Sequence, residues 1–196
     1  MVKVGFICEG ETERIIIGSS QFREFLRSLN IERIETVIDA GGNGNLLPKY
    51  LDGYTKVLVE LGADKIVIVT DREDYPCITS VKERINAPQG HFVIVAVQQF
   101  EAWFLADTTA MKGLLKEGQF ICDRPESYEV PFDEIRTQLK ARDLRGPGRI
   151  SGKVTLAKWM LDYYNFSIAR AAEHPNCPSA AYFMQKLTSI AQSTNN

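Results

Sequence analysis

Lys65-Ile66-Val67-Ile68-Val69-Thr70-Asp71-Arg72-Glu73-Asp74 is the stretch on which the fold turns. Ile66 to Val69 are continuously apolar and β-branched, as in a strand covered on both faces. The run stops abruptly in acids. Strands of that kind belong to parallel sheets, whose crossover connections lay helices on both sides.

Working outward, the pattern alternates. Towards the N-terminus, residues 46–61 carry Leu47, Leu51, Tyr54, Leu58 and Leu61 at helical spacing, with Pro48 tolerated only in a first turn. Residues 34–40 read as a strand closed by Gly41-Gly42-Asn43-Gly44-Asn45. Residues 12–29 read as one helix with Thr12 as a candidate cap, and Val2–Cys8 as the first strand, stopped at Glu9-Gly10. Towards the C-terminus a short helix over 78–86 leads to a strand over 91–97 and a helix over 100–115. The stretch 118–131 reads as loop, and helices are expected at 133–144, 153–173 and 179–192, the first two separated by Arg145-Gly146-Pro147-Gly148-Arg149. The expected architecture is α/β: a parallel sheet of about four strands with helices on both faces and a helical C-terminal region. Residues 1–117 form the expected core and 118–196 a helical extension packed on it, together one compact domain.

At 196 residues, 44% hydrophobic and 24% charged, the chain has the composition of a globular domain. No stretch approaches the ~18 apolar residues of a membrane span, and the apolar run after Met1 is too short for a secretory signal, so a cytoplasmic protein without membrane association is expected. Cys8, Cys77, Cys122 and Cys177 lack Cys-x-x-Cys spacing, and His91 and His174 lack close partners, which argues against structural zinc and a disulfide framework. The net charge of −2 gives no global attraction for nucleic acid. One segment departs from this: Arg136, Lys140, Arg142, Arg145, Arg149, Lys153 and Lys158 face a single acid, Asp143. It reads either as a phosphate-binding surface or as a solvated helix face followed by a loop.

Ligands of open parallel sheets bind beyond the carboxyl ends of the strands. The acids collect there: Glu9, Glu11 and Glu13 after the first strand, Asp71, Glu73 and Asp74 after the third, and Glu101 after the fourth. Glu11 and Glu13 are also explained by a helix N-terminus and Asp74 by a turn. Glu9 and Asp71 directly end apolar strands and resist those explanations. Carboxylates crowded at neighbouring strand ends repel one another, and a hard divalent cation relieves the repulsion. The glycine-rich run 41–45 before a helix could cradle phosphate through backbone N–H groups, but it lacks the Rossmann spacing and the P-loop lysine, and a plain loop is the favoured reading. Trp103, Phe104 and Leu105 read as core. Lys153, opening a helix after a Gly/Pro break, reads either as a solvated lysine or as a charge beside a transferring phosphoryl group.

Cys8-Glu9-Gly10-Glu11-Thr12-Glu13 followed by Asp71-Arg72-Glu73-Asp74 resembles the toprim pattern of topoisomerases, primases and several nucleases, in which a Glu follows the first strand and an Asp-x-Asp a later one. Glu9 takes the place of the family Glu and Asp71 that of the first Asp, while Glu73 stands where the family has its second Asp. Glu13 and Glu101 resemble the expanded acid set of the overcoming-lysogenization-defect nucleases. Glu101-Ala102-Trp103-Phe104-Leu105-Ala106-Asp107 and Asn176-Cys177-Pro178-Ser179 resemble the bacterial family called domain of unknown function 4276, some relatives of which are associated with phage defence. The resemblance implies a toprim-like Rossmannoid fold binding Mg2+ or Mn2+.

Two function classes follow. In the first, a metal-dependent nuclease or phosphoryl-transfer enzyme acts on nucleic acid, with Glu9 and Lys153 catalytic, Asp71, Glu73, Glu13 and Glu101 on the metal, and Arg145, Arg149 and Lys158 on the phosphate backbone. In the second, a catalytically silent module of the same fold senses a nucleotide, a nucleic-acid end or a partner protein encoded nearby. A cofactor-binding α/β domain is disfavoured by the missing dinucleotide fingerprint.

Overall fold

The structure is a computed structural model that describes residues 1–144 and 152–192. It comprises two compact units, one formed by Met1–Val95 together with the chain from Gln185, the other by Ala96–Met184.

The first unit holds a sheet of four strands, β1 (Val2–Cys8), β2 (Ile31–Asp39), β3 (Lys65–Asp71) and β4 (His91–Ala96), in the order β2-β1-β3-β4. Both neighbours of β1 run parallel to it, with Phe6 opposite Val67 and Ile7 opposite Ile68. This is the toprim-like α/β parallel sheet expected from the alternating periods. Side chains alternate between faces, so β1 feeds two cores. On one face Ile7, Ile66 and Ile68 pack with Leu51 and Leu58 of α3 (Pro48–Glu60) and with Val81 and Ile85 of α4 (Ile78–Ile85). Gly5 lets α3 approach there, because a Cβ on it would lie 3.0 Å from Leu58 Cδ1. On the other face Phe6 meets Phe22 edge-on, with ring centroids 5.8 Å apart.

The helix expected over 12–29 is two helices, α1 (Glu11–Gly18) and α2 (Ser20–Ser28). Ser19 divides them: its Oγ accepts from the Phe22 N–H at 3.1 Å and caps α2. Gly10, not Thr12, precedes α1. β2 also begins earlier than its apolar pattern suggests, because Arg33 is buried within it.

In the second unit α5 (Glu101–Ala106) is buried throughout and is followed by α6 (Thr108–Leu115), α7 (Pro131–Ala141), α8 (Lys153–Asp162), α9 (Ile168–Ala172) and α10 (Pro178–Gln192), the last returning to the first unit from Gln185. The break at Asp107 is again a cap: its Oδ1 accepts from the Ala110 N–H at 3.2 Å. Both Asp107 oxygens also hold Arg170, at 2.9 and 2.8 Å. Trp103, Phe104 and Leu105 are core as expected; Trp103 stacks on Phe183 with centroids 5.6 Å apart, and its Nε1 donates to Ser179 Oγ at 2.7 Å. Among the described residues no helix is long and apolar enough to cross a membrane.

Candidate functional site

β1 and β3 end side by side, and their parallel register delivers Glu9 next to Thr70 and Asp71. The Glu9 N–H continues the ladder to the Val69 carbonyl at 2.9 Å, which fixes the backbone from which the carboxylate projects. Glu9 Oε2 then accepts two hydrogen bonds, from Thr70 Oγ1 and from the Asp71 N–H at 3.1 Å. Glu9 is 8% exposed, and among the described residues no lysine or arginine forms an ion pair with it. Burial pushes its carboxyl above the ordinary range; the Thr70 and Asp71 hydrogen bonds pull it back, the Glu73 charge raises it again, and the Arg84 charge opposes that rise.

The glycine-rich run 41–45 is more than a loop. Gly41 and Gly42 adopt φ +72° and +116°, conformations that favour glycine, and lead into a 3-10 turn, Asn43–Leu46. The Gly42 N–H donates to the Glu9 carbonyl at 2.8 Å, which ties this turn to the end of β1. Asn43 thereby reaches across to β3: its Nδ2 donates to Glu73 Oε2 at 2.5 Å, and its carbonyl accepts from Arg84 Nη1 at 2.8 Å. Glu73 adopts φ +46°, so the chain turns away immediately after the strand. Arg84 lies over the Tyr75 ring at 5.0 Å and keeps Nε and Nη2 buried without a hydrogen-bond partner. Asn43, Thr70 and Arg84 were not anticipated. The only signal for Asn43 was its place in a turn beside a strand end.

Asp71, at 7% exposure, is the last residue of β3. Glu13 is buried in the first turn of α1, where its Oε2 would lie 3.5 Å from a Cβ placed on Gly10. Its charge, after the larger effect of burial, raises the Cys8 thiol, which places it towards Cys8. Glu9 and Asp71 therefore stand at the ends of two neighbouring strands, with Glu13 in the first turn of the helix that follows β1. The expectation of Glu9, Asp71 and Glu73 converging as a ready ligand set is not met: among the described residues no group of three or more His, Cys, Asp or Glu side chains could hold a metal ion. Asn43 engages Glu73.

The donor chemistry nevertheless fits magnesium. Buried, hard carboxylate oxygens suit it, and it is held by one or two carboxylates, the remaining positions going to water and phosphate oxygens.

Glu101 and Lys153 belong to the second unit. Glu101 is 1% exposed and receives Lys153 Nζ at 3.1 Å. Burial raises its carboxyl, and the lysine opposes that rise. The basic segment, read either as a phosphate-binding surface or as a solvated helix face, is partly neutralised: Arg136 pairs with Asp133 at 3.3 Å, Arg142 with Glu117 at 2.8 Å, and Lys153 with Glu101. Lys158 is exposed on α8, and Arg145 and Arg149 lie outside the described residues.

The four-stranded parallel sheet with helices around it is a toprim-like α/β fold. No family model and no curated protein matches the chain. Among solved structures it is similar to the C-terminal region of the Burkholderia pseudomallei OLD protein, at 16% identity over 96% of this chain and 99% of that one, with a TM-score of 0.44. A second similarity is to the C-terminal region of the Xanthomonas campestris pv. campestris OLD protein, at 15% identity over 98% of each chain, with a TM-score of 0.37.

Proposed function

We propose that the protein is a divalent-metal-dependent phosphodiesterase acting on nucleic acid. The observation that carries this reading is the buried Glu9 carboxylate at the β1–β3 junction, held on Oε2 by Thr70 and Asp71 and lacking an ion-pair partner among the described residues. Asp71 and Glu9 would hold magnesium, joined by Glu73 once it leaves Asn43, with Glu13 at the same strand ends. The ion would supply charge neutralisation and polarisation of the phosphodiester. The chain's own contribution is positional. Thr70 and the Asp71 amide fix one Glu9 oxygen, and burial raises the carboxyl above its ordinary range. Arg84, with Asn43, places a guanidinium near the acids. A role in phage defence is supported by the motif resemblance alone.

The fixing of Glu73 by Asn43 also favours a second reading, a silent module of the same fold that binds nucleic acid or a nucleotide without cutting it. Incubating labelled single- and double-stranded DNA and RNA with magnesium or manganese separates the two. The enzyme reading expects metal-dependent cleavage that Glu9→Gln abolishes while binding survives. Binding with no cleavage under either metal selects the silent module.

A further inference from the structure

At the opposite end of the same sheet the first unit contains a cavity of about 250 Å3. Lys3 at the start of β1, Arg23 and Arg27 on α2, and Glu32, Arg33 and Glu35 on β2 line it. Four cations thus meet two carboxylates in a chain whose net charge is −2. Glu35 forms an ion pair with Arg23, and its carboxyl lies below the ordinary range, first through that hydrogen bond and then through the charges of Arg23, Arg33 and Arg27. The positive charge of three guanidinium groups thus acts on one carboxylate.

Arg33 is 5% exposed, which is unusual for arginine. Its Nη1 donates to the carbonyls of Ile34 and Glu35 at 3.3 and 3.0 Å, and its Nη2 to that of Gly18 at 3.2 Å. These bonds fix the charge in place, yet its Nε is buried without a partner, as is Nε of Arg23. Burial, followed by repulsion from Arg23, makes the Arg33 charge costly there. Lys3 and Arg27 are exposed and make no ion pair among the described residues.

We propose that this cavity is a phosphate-binding site, distinct from the acid cluster, in which Arg23, Arg27 and Lys3 take a phosphate oxyanion over the fixed charge of Arg33. Guanidinium forks match tetrahedral phosphate oxygens better than they match a halide. The site does not rest on the metal-dependent reading. Lys3 and Glu9 lie towards opposite ends of β1, a seven-residue strand, and at ~3.3 Å per residue the two sites are roughly 20 Å apart. The phosphate belongs either to a small phosphomonoester or to a nucleic-acid backbone.

The test follows the backbone amide resonances of Gly18, Arg33 and Thr36 while the intact protein is titrated with inorganic phosphate, with sodium chloride at matched ionic strength, with a nucleoside monophosphate and with a single-stranded oligonucleotide. Saturable shifts with phosphate and not chloride are expected, weakened roughly tenfold or more in the double variant Lys3→Ala, Arg27→Ala and unchanged in Glu9→Gln. A small-molecule source makes the monophosphate the tighter ligand at these amides. A backbone source makes the oligonucleotide tighter, with strong salt dependence. Shifts that chloride reproduces, or that persist in the double variant, overturn the proposal; loss of binding in Glu9→Gln alone would assign the phosphate to the acid cluster instead.

Discussion

The Thr70 hydroxyl donates to the carboxylate of Glu9 across the junction of β3 and β1, and both side chains are buried. That bond makes Glu9 part of the sheet rather than of a loop. Burial nevertheless raises its carboxyl above the reference value of 4.5, with the bond working against that rise.

The sign of the linkage follows from that rise. A carboxyl whose folded pKa is raised is tolerated best when protonated, so its stabilising effect is complete below 4.5 and is lost as pH climbs through the folded value. Glu9→Gln, neutral throughout, should be more stable than the wild type at neutral pH, by about 1 kcal/mol, with the gain shrinking in acid. Urea unfolding at neutral and acidic pH measures it. A gain that is the same at both would show that Glu9 is not held raised.

Gly42 adopts φ +116° and ψ 160°, a region open essentially to glycine. Gly42→Ala should cost about 1–3 kcal/mol and loosen the turn that carries Asn43. Denaturant midpoints give the cost, and an unchanged midpoint would refute the strained geometry.

Much of this was legible in the sequence. Ile66 to Val69 read as a buried strand because an unbroken β-branched run has few other uses, Val2 to Cys8 read as a short apolar run stopped at Glu9-Gly10, and the strand ends fell within a residue or so of those observed. The breaks at Ser19 and Asp107 were hidden, since each is a single capping side chain inside an otherwise continuous apolar stripe. The first residues of β2 were hidden because Arg33 is buried on backbone carbonyls, a role that no periodicity announces. Glu9 and Asp71 stood out as acids ending apolar runs. Asn43 and Arg84 did not, because their positions beside Glu73 arise only when the turn after β2 and the helix after β3 come together.

Asn43 competes for Glu73. Removing its donor in Asn43→Ala should free the carboxylate and tighten manganese binding roughly threefold, the equivalent of one modest hydrogen bond. Calorimetric titration of the variant tests this; weaker binding would mean that Asn43 positions Glu73 rather than withholding it.

Lys153→Met leaves Glu101 buried without the ammonium at 3.1 Å. The Lys153 side chain is 36% exposed, so the cost at neutral pH should be about 2 kcal/mol, below that of a fully buried pair. The loss should diminish in acid, where Glu101, already raised by burial, takes a proton. Thermal unfolding across pH follows both effects, and a pH-independent loss would mean that packing, not charge, is what Lys153 supplies.

The most direct measurement is a calorimetric manganese titration of the wild type against Asp71→Asn. Asp71 ends β3 beside Glu9, and its substitution keeps size and shape while removing the charge. If the ends of β1 and β3 form a metal centre, the wild type binds manganese saturably and Asp71→Asn binds it at least roughly tenfold more weakly, the loss of one charged ligand. Equal binding by the two proteins would contradict a metal centre at these strand ends.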